Sequence, residues 1–297
     1  MNAMPAPATP DNQSGTALPS GRKTQARTVV IRPAHGWVPL GLAELWEYRE
    51  LLYFLTWRDV KVRYKQTALG AAWAVIQPFF MMVVFTVFFG RLARLPSDGF
   101  PYPVFAFSAL VPWTYFATAL TQSANSLVDN ARLITRIYFP RLLVPLAAVL
   151  AGLVDLAIAL IVLTGMLLFY GIRPTYTILA LPFLALLSAA TAFAVGLWLS
   201  ALNVKYRDVR YIIPFMIQFW LFATPVAYSS SLVPERWRAL FGLNPMTGVV
   251  EGFRWALLGE SPTFAAALPF SVLMVTIILV TGLYYFRRTE KGFADVV

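Results

Sequence analysis

Residues 142–170 read LLVPLAAVLAGLVDLAIALIVLTGMLLFY, from Leu142 to Tyr170, and hold a single charge, Asp155. A run so long and so poor in charge exceeds the roughly 18 residues that mark a bilayer-spanning helix. Five further runs carry no charge at all: Ala71–Phe89, Pro103–Leu127, Thr175–Val204, Tyr211–Tyr228 and Pro262–Phe286. Turn formers or charges close most of them, as in Gly90-Arg91, Gly171-Ile172-Arg173-Pro174 and Arg287-Arg288. Lipid offers nothing to an unpaired peptide group, so spanning segments of this kind form helices. The expected fold is all-α: a polytopic membrane protein with six transmembrane helices.

Composition agrees. Hydrophobic residues make up 59% and charged residues 13% of the 297, against about 25% charge in soluble domains, and a soluble fold of this length has no interior large enough for so much apolar surface. Lys and Arg number 9 before the first run, 3 in each of the second and fourth connections and 3 after the last, against 2, 1 and 3 in the other connections. Positive segments stay on the cytoplasmic side, which puts both termini in the cytoplasm. Topology and anionic inner-leaflet lipids account for the net charge of +10 without nucleic acid. Cysteine is absent, which removes disulfides and thiolate metal sites.

Residues 1–36, rich in Pro, Ala, Thr, Ser and Gly, are expected to form a disordered cytoplasmic tail. Residues 37–70 form the next region, an N-terminal amphipathic interface helix. There Leu45, Tyr48, Leu52 and Leu55 share one face, with Glu47, Arg58, Lys61 and Lys65 roughly opposite. Such a helix lies along the inner membrane surface, either as a plain juxtamembrane element or as a partner-binding one. Residues 71–297 make the transmembrane domain. Its cytoplasmic loops hold a short amphipathic element, Leu127–Arg141, and the charge-dense Asn203–Arg210.

The outer connection at about 229–261 is too apolar to stand in water. Its punctuation gives two short helices: Pro234 opens the first and Gly242 ends it; Asn244 caps the second, Pro245 takes its first position and Gly259 stops it. This re-entrant helical hairpin requires protein or water around its broken ends, and so a pathway opening on that side.

Several chemistries are missing. No Gly-rich phosphate loop followed by Lys and Ser or Thr occurs, the only histidine is His35 in the tail, and the spans contain one acid. No catalytic residue, metal site or cofactor is therefore assigned to this chain. Asp155 either lines a pathway or pairs with a mobile base, or it anchors helix packing through a neighbouring Ser, Thr or Tyr. Gln77-Pro78 predicts a kink. Tyr211, Phe215, Phe219 and Phe222 recur at helical spacing, as a substrate-lining stripe or as ordinary packing and lipid-facing aromatics.

Three segments resemble the transmembrane subunit of ABC-2 type polysaccharide exporters, the family of O-antigen, capsule and teichoic acid permeases. They are Trp57-Arg58-Asp59-Val60-Lys61-Val62-Arg63-Tyr64-Lys65-Gln66-Thr67-Ala68-Leu69-Gly70 running into Trp73 and Gln77-Pro78, then Asn203-Val204-Lys205-Tyr206-Arg207-Asp208-Val209, and Asn244-Pro245-Met246-Thr247-Gly248-Val249-Val250-Glu251-Gly252-Phe253-Arg254. The resemblance covers about Leu45 to Lys291. It implies a homodimer in the cytoplasmic (inner) membrane, each copy bound to a separate ABC ATPase subunit that carries the ATP and Mg, and a lipid-linked glycan as substrate. It also implies roles. Arg132, Arg136 and Tyr138, in a coupling helix at about Leu127–Tyr138, with Arg58, Lys61 and Arg63 of the interface helix, would meet the ATPase. Trp73, Tyr211, Phe215, Phe219 and Phe222 would line the conduit, and Asn244, Pro245, Glu251 and Arg254 would build the outer gate. Glu251 and Arg254, three apart on a helix, are spaced to pair. An ABC-2 exporter of a drug or lipid is the alternative; an ion-coupled carrier would need more intramembrane charge.

Overall fold

The computed structural model describes residues 42–65, 72–173, 175–259 and 264–293. The tail expected at residues 1–36 and the motif residues Gln66–Gly70 lie outside them. The regular elements of the described residues are all helices: α1 (Leu42–Glu47), α2 (Arg49–Lys65), α3 (Trp73–Phe85, prolonged by a π-helical stretch Thr86–Leu92), α4 (Tyr102–Asp129), α5 (Ala131–Arg136), α6 (Leu143–Phe169), α7 (Leu181–Lys205), α8 (Val209–Ala223), α9 (Glu235–Gly242), α10 (Pro245–Leu258) and α11 (Phe264–Thr289).

α4 is the axis of the bundle, packed against α6, α7, α10 and α3. Its sequence suits that place because Ala and Ser recur along it, letting neighbours come close. A Cβ on Gly196 of α7 would fall 2.3 Å from the Ser123 hydroxyl of α4, so glycine there sets the α4–α7 approach. Asn203 adds a polar tie, donating to the Ala124 carbonyl at 3.1 Å and to Asn125 Oδ1 at 3.0 Å. By contrast α3 is peripheral, with Trp73, Phe80, Val84 and Phe88 all exposed on the single chain.

Five helical stretches among the described residues are long and apolar enough to span: Trp73–Leu92, Tyr102–Asp129, Leu143–Phe169, Tyr176–Lys205 and Ala265–Thr289. The remaining expected span, Tyr211–Tyr228, is different. α8 has 15 residues and so measures about 22 Å, less than the ~30 Å hydrocarbon core. The cause is Pro225, which disfavours helical geometry in the residue before it; Thr224 is extended at φ −107° and ψ 140°. The chain from Thr224 to Ala227 continues as buried, non-helical backbone.

The amphipathic entry is built from two helices. It breaks at Tyr48 into α1 and α2, and α2 packs along α6. Leu55 is buried in one cluster with Leu142, Leu143 and Phe286, while Arg63 pairs with Asp155, about 18 Å further along α6 than Leu143. α2 thus runs beside α6, which buries one of its faces.

Candidate functional site

At the basic end of the bundle, α4 runs on to Asp129 and α5 follows after Asn130. Arg132, Arg136 and Tyr138 stand exposed around this short helix. Arg58 of α2 reaches the same place: it donates to Asn130 Oδ1 at 2.9 Å and pairs with Asp59 at 2.8 Å. Arg210, in the first turn of α8, pairs with Asp129 at 2.9 Å, so α2, the α4–α5 junction and the start of α8 meet at one tip. Lys61 is exposed, its ammonium 5.4 Å from the Trp57 ring centre. The C-terminal turn is pinned close by, where Glu290 accepts from the Arg141 backbone N–H and from Arg287, both at 3.1 Å.

Arg63 belongs elsewhere. It turns into the bundle, donating to Asp155 Oδ2 and to Gln122 Oε1, while the Tyr64 hydroxyl donates to Asp155 Oδ1. The lone intramembrane acid therefore has both partners that its cost demands, a base and a tyrosine. These groups sit at the end of a cleft of about 820 Å³, open mouth included, between α2, α3, α4 and α6. Trp73 and Gln77 stand at that cleft too, with Thr114, Thr118 and Gly152. Pro78 lies within α3, which runs through it as helix.

On α8, Tyr211, Phe215, Phe219 and Phe222 are exposed by 80, 75, 69 and 56% on the single chain. Their spacing keeps them on one face of the helix. Phe222 shares a groove with Met81, Val84 and Phe88 of α3; Trp73, near the other end of α3, does not join the α8 stripe within one chain.

At the hairpin end the capping residues act as their types dictate. Asn244 accepts from the Met246 backbone N–H at 3.0 Å, Pro245 opens α10, and Gly259 ends it at φ 84°, a left-handed value that glycine tolerates. Asn244 does more: its oxygen accepts from the Trp220 indole at 2.8 Å, and its amide donates to the Ala223 carbonyl at 3.2 Å and Thr224 Oγ1 at 2.9 Å. It joins the start of α10 to the end of α8. Glu251 and Arg254 are buried and paired at 3.1 Å. Arg254 also donates to the carbonyls of Pro225 (2.7 Å), Val226 (2.9 Å) and Tyr228 (3.3 Å), and its guanidinium lies 3.7 Å from the Phe105 ring centre. Three carbonyls of the non-helical chain after α8 thus find their donors in one arginine. Tyr102 donates to the Ala227 carbonyl, and Asp98 accepts from Ser229 at 2.6 Å and from Ser231 at 3.2 Å, clasping the same segment from α4 and the loop before it.

Residues 50–258 match the family model described as ABC-2 type transporter. The chain belongs to the ABC-2 type transporter family. Among similar proteins, the O-antigen export system permease protein RfbA of Myxococcus xanthus is 30% identical over 83% of this chain and 96% of its own length. The RfbA protein of Klebsiella pneumoniae is 27% identical over 84% and 95%, and the polysialic acid transport protein KpsM of Escherichia coli is 20% identical over 79% and 92%. The ABC-2 match runs from the second residue of α2 to the end of α10, and so takes in the four groups of residues just described apart from the C-terminal turn at Arg287 and Glu290.

Sequence reasoning did not single out Gln122, Tyr64, Trp220, Asn130 or Asp98. Tyr64 neighbours Arg63 within a motif already quoted. Gln122 is a polar residue inside a charge-free run, which was its only available signal. Trp220 sits among other aromatics and gave none.

Proposed function

We propose that this ABC-2 chain is the permease subunit of an exporter that moves a lipid-linked polysaccharide of the O-antigen class across the cytoplasmic membrane. The observation that carries this reading is the likeness to RfbA of Myxococcus xanthus over nearly the whole of that protein. In this reading the chain works as a homodimer, and each copy binds a separate ABC ATPase that holds the ATP and Mg. The basic end faces the cytoplasm with both termini, as the distribution of Lys and Arg argues, and the α9–α10 hairpin faces outward as the gate. Closure of the two ATPase subunits moves α5 as a rigid body. That motion passes to α8 through the Arg210–Asp129 pair and to α2 through Arg58 and Asn130. Motion of α8 reaches the hairpin through Asn244. No covalent step falls to this chain. The α8 stripe lines the conduit, its aromatic faces stacking on sugar rings.

The test is a deletion strain complemented with the chain. Loss of surface polysaccharide on deletion, restored by the chain only when the ATPase is present, is the expected result; normal surface polysaccharide in the deletion strain rejects the cargo assignment.

A further inference from the structure

Three grooves lie along α3, the first two side by side at Trp73 and Gln77 and the third further on, each sharing residues with the next. The first is the cleft that holds Arg63, Gln122 and Asp155. Trp73 and Gln77 continue into the second, with Ile76 and Phe80. Met81 and Val84 then continue into the third, which ends at Phe88 of α3 and Phe222 of α8. Polar groups concentrate at the first end; beyond Gln77 the lining is apolar, apart from Gln218. A head that holds an arginine, followed by a long apolar track, suits an anionic amphiphile once the carboxylate partner of that arginine, Asp155, is exchanged for the lipid's own anion.

We propose that this groove binds a phosphate-bearing lipid, with the phosphate on Arg63 and the hydrocarbon chain along α3. The planar guanidinium fork matches phosphate oxygens, and Gln122, Gln77, Thr114 and Thr118 supply further polar contacts around it. Asp155 is the internal counter-ion that occupies Arg63 until the lipid arrives. When phosphate takes the guanidinium, the Tyr64 hydroxyl remains on Asp155, so the carboxylate keeps a donor. A partly buried ion pair gives little net stability over apolar residues of its size; exchange of its partner gives the pair a use that packing does not. Calling this lipid the anchor of the transported glycan rests on the function proposed above, but its binding does not.

The experiment exploits the absence of native cysteine. A fluorophore on Ile76→Cys reports brominated lipid in phosphatidylcholine nanodiscs: phosphatidic acid, or diacylglycerol with the same chains. Phosphatidic acid is expected to quench saturably and diacylglycerol not. Arg63→Gln is expected to weaken phosphatidic acid about tenfold or more, the scale of one lost charged hydrogen bond. Asp155→Asn, which removes the competitor, is expected to tighten it. Equal quenching by both lipids overturns the proposal, as does no quenching by either, the result if a second copy of the chain covers α3. So does a common direction of change in the two variants, the signature of a pair that only fastens α2 to α6. Displacement of the lipid by inorganic phosphate overturns the role of the chain track. Should Arg63→Gln fail to fold, Arg63→Lys, which keeps the charge and loses the fork, is expected to bind more weakly than the native chain; unchanged affinity overturns the proposal. Neither ATPase nor glycan enters the assay, so the lipid site and the cargo assignment fail separately.

Discussion

Asn244 holds the Trp220 indole N–H at 2.8 Å with the same oxygen that caps α10, while its amide closes on the last carbonyl of α8. One side chain thus couples the 15-residue α8 to the hairpin. α8 ends without the usual glycine stop, at an extended Thr224, and its terminal carbonyl groups would otherwise lack this donor.

Asn244→Ala is therefore expected to cost about 2 kcal/mol, a cap of ~1 kcal/mol plus the bonds to α8. Asn244→Asp keeps the acceptor and loses the amide donors, so it should fall between. Unfolding in detergent measures the stability. Cysteines placed at Ala223 and Met246 measure the separation of the two ends, which should widen in Asn244→Ala; an unchanged separation would show that the clasp is not what joins them.

Arg254 is 2% exposed and serves three carbonyls as well as Glu251. Removing one partner of such a buried pair costs about 3–5 kcal/mol. Arg254→Met should lose stability on that scale and expose the chain it holds. A cysteine at the buried Val226, inert in the native background, should then react with maleimide. Lasting inertness would mean that Tyr102 and Asp98 hold the segment alone.

Arg132 and Arg136 stand exposed on α5 and belong to none of the ion pairs found among the described residues. Charge reversal to Glu at both should abolish co-purification of the ATPase with the chain while leaving membrane insertion and thermal stability within about 0.5 kcal/mol, as for surface substitutions generally. Survival of the complex would move the coupling surface away from α5.

How far could the chain alone be read? Helix existence and the hairpin were legible, because Asn244, Pro245 and Gly259 carry their conformations in their own chemistry. The Glu251–Arg254 pair was legible for the same reason, since three-residue spacing is a local fact. The end of α8 had its cause in plain view at Pro225, yet an apolar count runs straight through a proline. The course of α2 was hidden. Its apolar residues announce one buried face without saying what buries it, and the partner of Arg63 lies 92 positions away, beyond any periodicity. Gln122 and Trp220 matter through such distant partners, so only the fold exposes them.

Topology offers a direct check. Gly99 in the connection before α4 and Tyr138 after α5 are exposed at opposite ends of α4. With no native cysteine to mask, Gly99→Cys should label in intact cells with an impermeant maleimide, and Tyr138→Cys only after permeabilisation. Both labelling from one side would defeat the orientation drawn from the Lys and Arg distribution.

The α8 stripe gives the sharpest test of assembly. In lipid an exposed apolar face needs no partner, so exposure alone does not separate a conduit wall from a lipid-facing surface. Length does. A helix of 15 residues falls short of the hydrocarbon core by about a quarter, a mismatch that facing protein or water across a dimer relieves and open lipid does not. Phe215→Cys should then cross-link between two copies under mild oxidation or with a short bifunctional reagent. Ile161→Cys, exposed on α6 at 72% against 75% for Phe215, should not. Equal yields at the two positions would place α8 in lipid and remove the stripe from the conduit.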